Sequence, residues 1–121
     1  GKRQQVPRLS RSKRYDLLRY IDNRLDQRIT LENFASFLGI PINQFIHVFA
    51  NAFGQTPTQF LIRQRIRRAQ WHLQYSDQSI ADIAYRTGFS SHAHLTNTFK
   101  NKVGVSPMSW RSKHMMGEKH A

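Results

Sequence analysis

The sequence predicts an all-α fold of about seven helices: two helix-turn-helix subdomains, each a short helix and a second helix across a tight turn, joined by a long linker helix. Three observations lead there. Apolar residues recur at helical spacing along most of the chain, and no alternating strand pattern of useful length appears. A skeleton of apolar and turn residues occurs twice, with Thr30-Leu31, Phe34-Ala35 and Gly39-Ile40 returning as Ser79-Ile80, Ile83-Ala84 and Gly88-Phe89. After each glycine comes a second ladder, Phe45, Phe49, Gly54, Pro57 and Phe60 in the first copy and Leu95, Phe99, Gly104, Pro107 and Trp110 in the second, whose turn is one residue longer.

Taken in order, residues 1–14 hold Lys2, Arg3, Arg8, Arg11, Lys13 and Arg14 without an acid and read as a flexible basic arm or the end of a linker. A first lobe over 15–56 opens with a helix from Tyr15, in which Leu17, Leu18, Ile21 and Leu25 carry the apolar spacing. Thr30 is an N-cap for a short helix bearing Leu31, Phe34, Ala35 and Leu38, which Gly39 stops. Pro41 suits the first turn of the next helix, with Phe45, Val48 and Phe49 on its inner face. Thr56-Pro57 starts the linker helix, 57–75, whose stretch from Phe60 to Tyr75 would span about 24 Å. The second lobe, 76–113, has a Ser79 cap with Asp82 three residues on, a stop at Gly88, a helix from about Ser91 to Lys102, and a last short helix from Ser106-Pro107 through Trp110. Residues 114–121 form a tail.

With 19 Lys and Arg against 7 Asp and Glu in 121 residues, the net charge is +12, which makes a polyanion the expected partner: nucleic acid or an anionic membrane. The absence of cysteine excludes disulfides, thiolate metal sites and cysteine nucleophiles, and is compatible with a reducing cytoplasm, where the chain is expected to work. No apolar run approaches the roughly 20 residues that cross a bilayer. Gly1 in place of an initiator Met points to a processed chain or a piece of a longer protein.

The helix after each tight turn has a distinct outer stripe. With Phe45, Val48 and Phe49 turned inward, Asn43, Ile46, His47 and Ala50 fall on the opposite side; with Leu95 and Phe99 inward, Ala93, Thr96, Asn97 and Lys100 do the same. Such a helix, held by its predecessor, matches the major groove of duplex DNA, about 12 Å wide. No acid occurs from Asn33 to Ser76 or from Ile83 to Gly117, so Arg63, Arg65, Arg67, Arg68, Arg86, Lys100, Lys102, Arg111 and Lys113 can meet phosphates. Arg63, Arg65, Arg86, Lys100 and Lys102 are the first candidates.

From about Tyr15 to Lys113 the chain resembles the DNA-binding domain of the AraC/XylS family of transcription regulators. The resemblance is carried by Ser79-Ile80-Ala81-Asp82-Ile83-Ala84, Gly88-Phe89-Ser90-Ser91, Phe99-Lys100-Asn101 and Gly104-Val105-Ser106-Pro107, with Arg65-Ile66, Ala69 and Leu73 fitting the linker helix. It implies two helix-turn-helix lobes on a rigid helix, their second helices entering successive major grooves of double-stranded DNA. The base-reading positions it implies are Asn43, Ile46 and His47 in the first lobe and His92, Ala93, Thr96 and Asn97 in the second. Members often carry an Arg near His47 or Asn97, which this chain lacks, and no Lys or Arg lies between Arg28 and Arg63. An A/T-biased site follows, because Asn pairs bidentately with adenine and Ile46 suits a thymine methyl.

The same residues argue against other functions. His92-x-His94 has no third ligand nearby, so no metal and no cofactor is expected. No nucleophile-elbow pattern supports an enzyme. Helical spacing assigns most of Phe34, Phe37, Phe45, Phe49, Phe53, Phe60, Trp71, Phe89, Phe99 and Trp110 to core rather than to a stacking platform for single strands. An amphipathic membrane helix over Arg63–Arg68 leaves the duplicated glycines unexplained. The remaining alternative is a basic helical module that holds a protein such as RNA polymerase and binds DNA only non-specifically. The 121-residue chain is expected to be monomeric, with any effector or dimerisation domain elsewhere in the intact protein.

Overall fold

The computed structural model describes residues 8–115, and the regular structure in that span is helical: α1 (Arg11–Asp22), α2 (Leu31–Leu38), α3 (Ile42–Phe53), α4 (Pro57–Tyr75), α5 (Ile80–Arg86), α6 (His92–Val103) and α7 (Pro107–His114). The chain divides into two compact units, Gly1–Ile62 and Arg63–Ala121, and the division falls inside α4. Phe60 and Leu61 of that helix are buried in the core of the first unit, while Ile66, Ala69 and Leu73 are buried further along.

In the first unit α1 begins four residues before Tyr15. The Ser10 hydroxyl accepts from the Lys13 backbone N–H at 3.1 Å, which satisfies one of the unpaired donors of a helix start, and Arg, Lys and Ser tolerate helix well. Leu9 just upstream is buried, so the stretch expected as an arm is structured from here on; Lys2 and Arg3 lie outside the described residues. The helix stops at Asp22, and Leu25 reaches the core from the following turn. Leu18, about 100° round from Leu17, is exposed instead of packed.

The core of this unit is aromatic. Phe34 stacks on Phe45 at 5.8 Å between centroids, Phe45 lies 5.8 Å from Phe49, and Phe49 meets Phe60 edge-on at 5.4 Å. Each such fully buried side chain contributes about 1.5–3 kcal/mol relative to exposure. Helix α2 starts with a reciprocal capping box between Thr30 and Asn33, both bonds 3.1 Å, and α4 with one between Thr56 and Gln59. Between α2 and α3, Gly39 has φ 70°, and the Ile40 N–H donates to Ala35 O at 3.0 Å while Gly39 N–H donates to Ser36 O at 3.1 Å. This is a Schellman closure, and Pro41 follows at the start of α3 without an N–H to place.

The second unit repeats the closure bond for bond. Gly88 has φ 85°, Phe89 N–H donates to Ala84 O at 3.0 Å, and Gly88 N–H donates to Tyr85 O at 3.4 Å. The longer turn then runs through Ser90 to Ser91, which caps α6. Thr87 is fully buried, and its hydroxyl donates to Ile83 O at 2.6 Å. Helix α7 extends beyond Trp110 to His114, whose ring stacks on Trp110 at 4.0 Å.

Candidate nucleic-acid interface

In the first unit the buried side of α3 is Phe45, Val48 and Phe49, and that burial fixes the rotation of the helix. Asn43, Ile46 and His47 are consequently exposed and Ala50 half-buried. Ile46 keeps 41% of its surface in contact with solvent, an apolar side chain that gains by being covered. Asn51, one turn beyond His47 and also exposed, extends the stripe. The spacing i, i+4 from His47 was the signal that could have found it. No Lys or Arg lies between Arg28 and Arg63, so α3 itself carries no Lys or Arg on this surface.

In the second unit Leu95 and Phe99 are buried, and the residues opposite them are Ala93, Asn97 and Lys100, all exposed. Thr96 is half-buried at the margin of the stripe. Asn101, exposed, corresponds to Asn51 and lengthens the stripe in the same way. His92 and Lys102 are exposed but stand five residues on either side of Asn97, about 140° round the helix from it. They flank the reading stripe rather than belong to it.

The cations differ in availability. Arg63, Arg67 and Arg86 are exposed, while Arg65 is half-buried, and burial lowers its guanidinium from the ordinary value without removing its charge at neutral pH. Arg111 is committed elsewhere: its Nε donates to Leu73 O at 3.0 Å and its terminal nitrogen to Ser76 O at 3.1 Å. Those are carbonyls left open by the end of α4 and the loop after it, so Arg111 fastens α7 to them instead of waiting for a phosphate. His72, on α4, has a buried Nδ1 with no hydrogen-bond partner. Burial, then the charges of Arg86 and Arg68, push its imidazole below the usual histidine value and keep it neutral.

Two aromatics expected in the core are instead at the surface. Phe37 is exposed and stacks on Tyr20 at 4.3 Å, and Trp71 is exposed beside Tyr75 at 5.5 Å. Among the described residues no group of three or more His, Cys, Asp or Glu could hold a metal ion, and no helix is long and apolar enough to cross a membrane. His94 Nδ1 is taken by Ser90, with its backbone N–H at 3.3 Å and its hydroxyl at 3.0 Å.

A family model described as a helix-turn-helix domain matches residues 34–113. The HTH-type transcriptional activator RhaS of Yersinia pestis (strain Pestoides F) is 32% identical over 99 residues, covering 82% of this chain and 36% of that protein. The chain therefore spans little more than a third of such relatives. Among solved structures, the DNA-binding domain of the global transcriptional factor AdpA, in complex with a target DNA, has a TM-score of 0.78 at 29% identity over 82% of this chain and 89% of that one. The C-terminal domain of AraT, a response regulator from Geobacillus stearothermophilus, has a TM-score of 0.80 at 27% identity over 86% of this chain and 87% of that one. An AraC-type regulator from Chromobacterium violaceum shares the fold, with a TM-score of 0.77 at 22% identity over 84% of this chain and 91% of that one. Because the matched span takes in both turns and both outward-facing second helices, the chain belongs to the AraC-type helix-turn-helix family of DNA-binding domains.

Proposed function

We propose that the chain is the sequence-reading part of a cytoplasmic transcription regulator and binds double-stranded DNA as a monomer, with α3 and α6 each entering a major groove. The observation that carries this is the pairing of a buried apolar side with an exposed, acid-free outer stripe on the second helix of both units. Asn43, Ile46 and His47 contact bases from α3, and Ala93, Thr96 and Asn97 from α6, with His92 reaching the duplex from the flank of that stripe at the helix start. Asn97 supplies a bidentate pair to adenine, and Ile46 covers a thymine methyl. Arg63, Arg65, Arg86, Lys100 and Lys102 neutralise phosphates. The AdpA domain, solved with its target DNA, supports the reading.

Since the two stripes differ at Asn43 against Ala93, Ile46 against Thr96 and His47 against Asn97, the preferred site is asymmetric, with two unlike half-sites about 10 base pairs apart on one face of the duplex. Selection from a random duplex library, followed by footprinting of the selected sequence, tests this. Protection of two adjacent major grooves by a monomer is the expected result. Loss of all preference against unrelated competitor duplex would return the chain to a basic protein-binding module, and a palindromic footprint that needs a dimer would overturn the two-groove arrangement.

A further inference from the structure

The two turns face different problems after the same Schellman closure. In the first, the residue after Ile40 is Pro41, which has no N–H and is itself the N-cap of α3. In the second, an additional residue, Ser90, separates Phe89 from the cap Ser91, and it brings a backbone donor that lies too far forward for the helix to use. An exposed N–H is served by water, but it then leaves the turn with no internal restraint at that point.

His94 supplies the restraint. It is the third residue of α6, and its own N–H donates to Ser91 Oγ at 3.0 Å. Its ring reaches back past the cap, so that Nδ1 accepts from the Ser90 N–H at 3.3 Å and lies 3.0 Å from the Ser90 hydroxyl. Phe89 holds the ring edge-on at 5.2 Å between centroids. A backbone N–H can only donate, so Nδ1 carries the lone pair and the proton of the neutral ring sits on Nε2. At the starts of α2 and α4 the third residue, Asn33 or Gln59, bonds the N–H of the cap itself. At α6 the same reciprocal bracket is stretched by one residue, and a histidine has the length and the acceptor to span it.

We propose that His94 is a positioning residue for the second reading helix: through Ser90 it holds the lengthened turn, and so sets where the first turn of α6 presents His92 and Ala93. The bracket stands on the geometry of the turn alone, whereas its effect on DNA rests on the function proposed above.

Three variants separate the roles. Asn places its amide oxygen near the position of Nδ1, Gln reaches toward the position of Nε2, and Ala offers neither. In the DNA-free chain, imidazole nitrogen NMR shifts report the tautomer, and hydrogen exchange of the Ser90 amide reports the bracket. The expected result is an unprotonated Nδ1 in the wild-type chain, with Ser90 protection kept in His94→Asn and lost in His94→Gln and His94→Ala. On the selected duplex, His94→Gln and His94→Ala are expected to lose about fivefold in affinity, a typical worth of one hydrogen bond, with His94→Asn near wild type and unrelated duplex unchanged. A protonated Nδ1, or Ser90 exchange indifferent to all three variants, overturns the bracket whatever the DNA results. An intact bracket signature with equal affinity loss in all three variants makes His94 a direct base contact and overturns the positioning role. Absence of any preferred duplex for the wild-type chain would defeat the proposed function and, with it, the effect assigned to His94 on DNA, leaving the bracket to be judged by exchange and tautomer.

Discussion

The two units solve one geometric problem with different materials. The first surrounds α3 with contacting phenylalanines, Phe34, Phe45, Phe49, Phe53 and Phe60, and has no Lys or Arg from residue 29 to 62. In the second, Leu73, Ile83 and Leu95 occupy much of the interior, Arg111 and Thr87 tie backbone carbonyls, and exposed cations stand on α4, α5 and α6. The turn geometry nevertheless repeats to within a few tenths of an ångström in its closing hydrogen bonds. The scaffold thus constrains shape at its inner positions and leaves charge free to differ. In the function proposed here, that difference leaves α3 to discriminate by uncharged contacts, while α6 carries Lys100 beside its readers.

The largest effect that could break this comparison is that of salt. With about 5 to 8 phosphates neutralised, log K should fall against log salt with a slope of roughly −4 to −7, which is about 10²–10⁴ in affinity between 50 and 200 mM. Arg86→Ala and Lys100→Ala should each flatten that slope by about 1 on every duplex. Substitutions confined to residues 29–62 should leave it alone, and a slope near zero would end the DNA reading.

Stability gives the next contrast. Phe49→Ala removes a fully buried ring that touches Phe45, Phe53 and Phe60, and is expected to cost about 3–5 kcal/mol. Arg111→Ala leaves the Leu73 and Ser76 carbonyls without their charged donor, at about 2–3 kcal/mol, and Arg111→Lys should restore it only in part because an ammonium lacks the fixed fork of the guanidinium. Denaturant titration gives the magnitudes. Native-state hydrogen exchange should localise the first loss to residues before Ile62 and the second to residues after it; equal loss in both places would show that the units do not behave separately.

Discrimination comes next in size. His47→Ala and Asn97→Ala should each weaken the selected site by about 1–3 kcal/mol and leave unrelated duplex nearly unchanged. Arg65→Ala should weaken all sequences alike. If His47→Ala acted on every duplex equally, the first unit would be a phosphate clamp rather than a reader.

The smallest effect belongs to pH. Burial, Arg86 and Arg68 lower the His72 imidazole in the folded chain, so the unfolded state takes up its proton first as pH falls. The contribution of neutral His72 is therefore complete above 6.5, the ordinary value, and is lost as pH drops below it through the lower folded value. Comparing wild type with His72→Gln in thermal melts from pH 7.5 to 5 should reveal a steeper acid decline in the wild-type chain, and parallel curves would contradict it.

Much of the architecture was legible because inward and outward residues follow the helical period, as Phe45, Val48 and Phe49 do against Asn43 and His47. What escaped depends on contacts that periodicity does not encode. Leu9 and the first turn of α1 are hidden among basic residues that serve equally well in an arm or a helix. Arg111 looks like any surface cation until chain folding brings it to carbonyls 38 and 35 residues away. His94 reads in the sequence only as half of a His-x-His pair without a third ligand, since its bond to Ser90 exists only once the turn has closed. Phe37 and Trp71 have the composition of core but lie on sides of their helices that the rest of the unit leaves open.

One turn residue has a consequence that concerns handedness. Gly39 sits at φ 70°, and a Cβ added there would meet nothing within 4 Å, so neither space nor a neighbour dictates glycine at this point. An L-alanine would be asked to take up the mirror-image backbone of its preference, at about 1–2 kcal/mol. A D-alanine introduced by chemical ligation would find that backbone natural and would also restrict the unfolded chain, a gain of about 0.4–1 kcal/mol by the usual worth of replacing glycine where the new residue fits. The turn that sets α3 against α2 thus asks for a chirality the genetic code does not offer, and an achiral residue is the nearest coded answer.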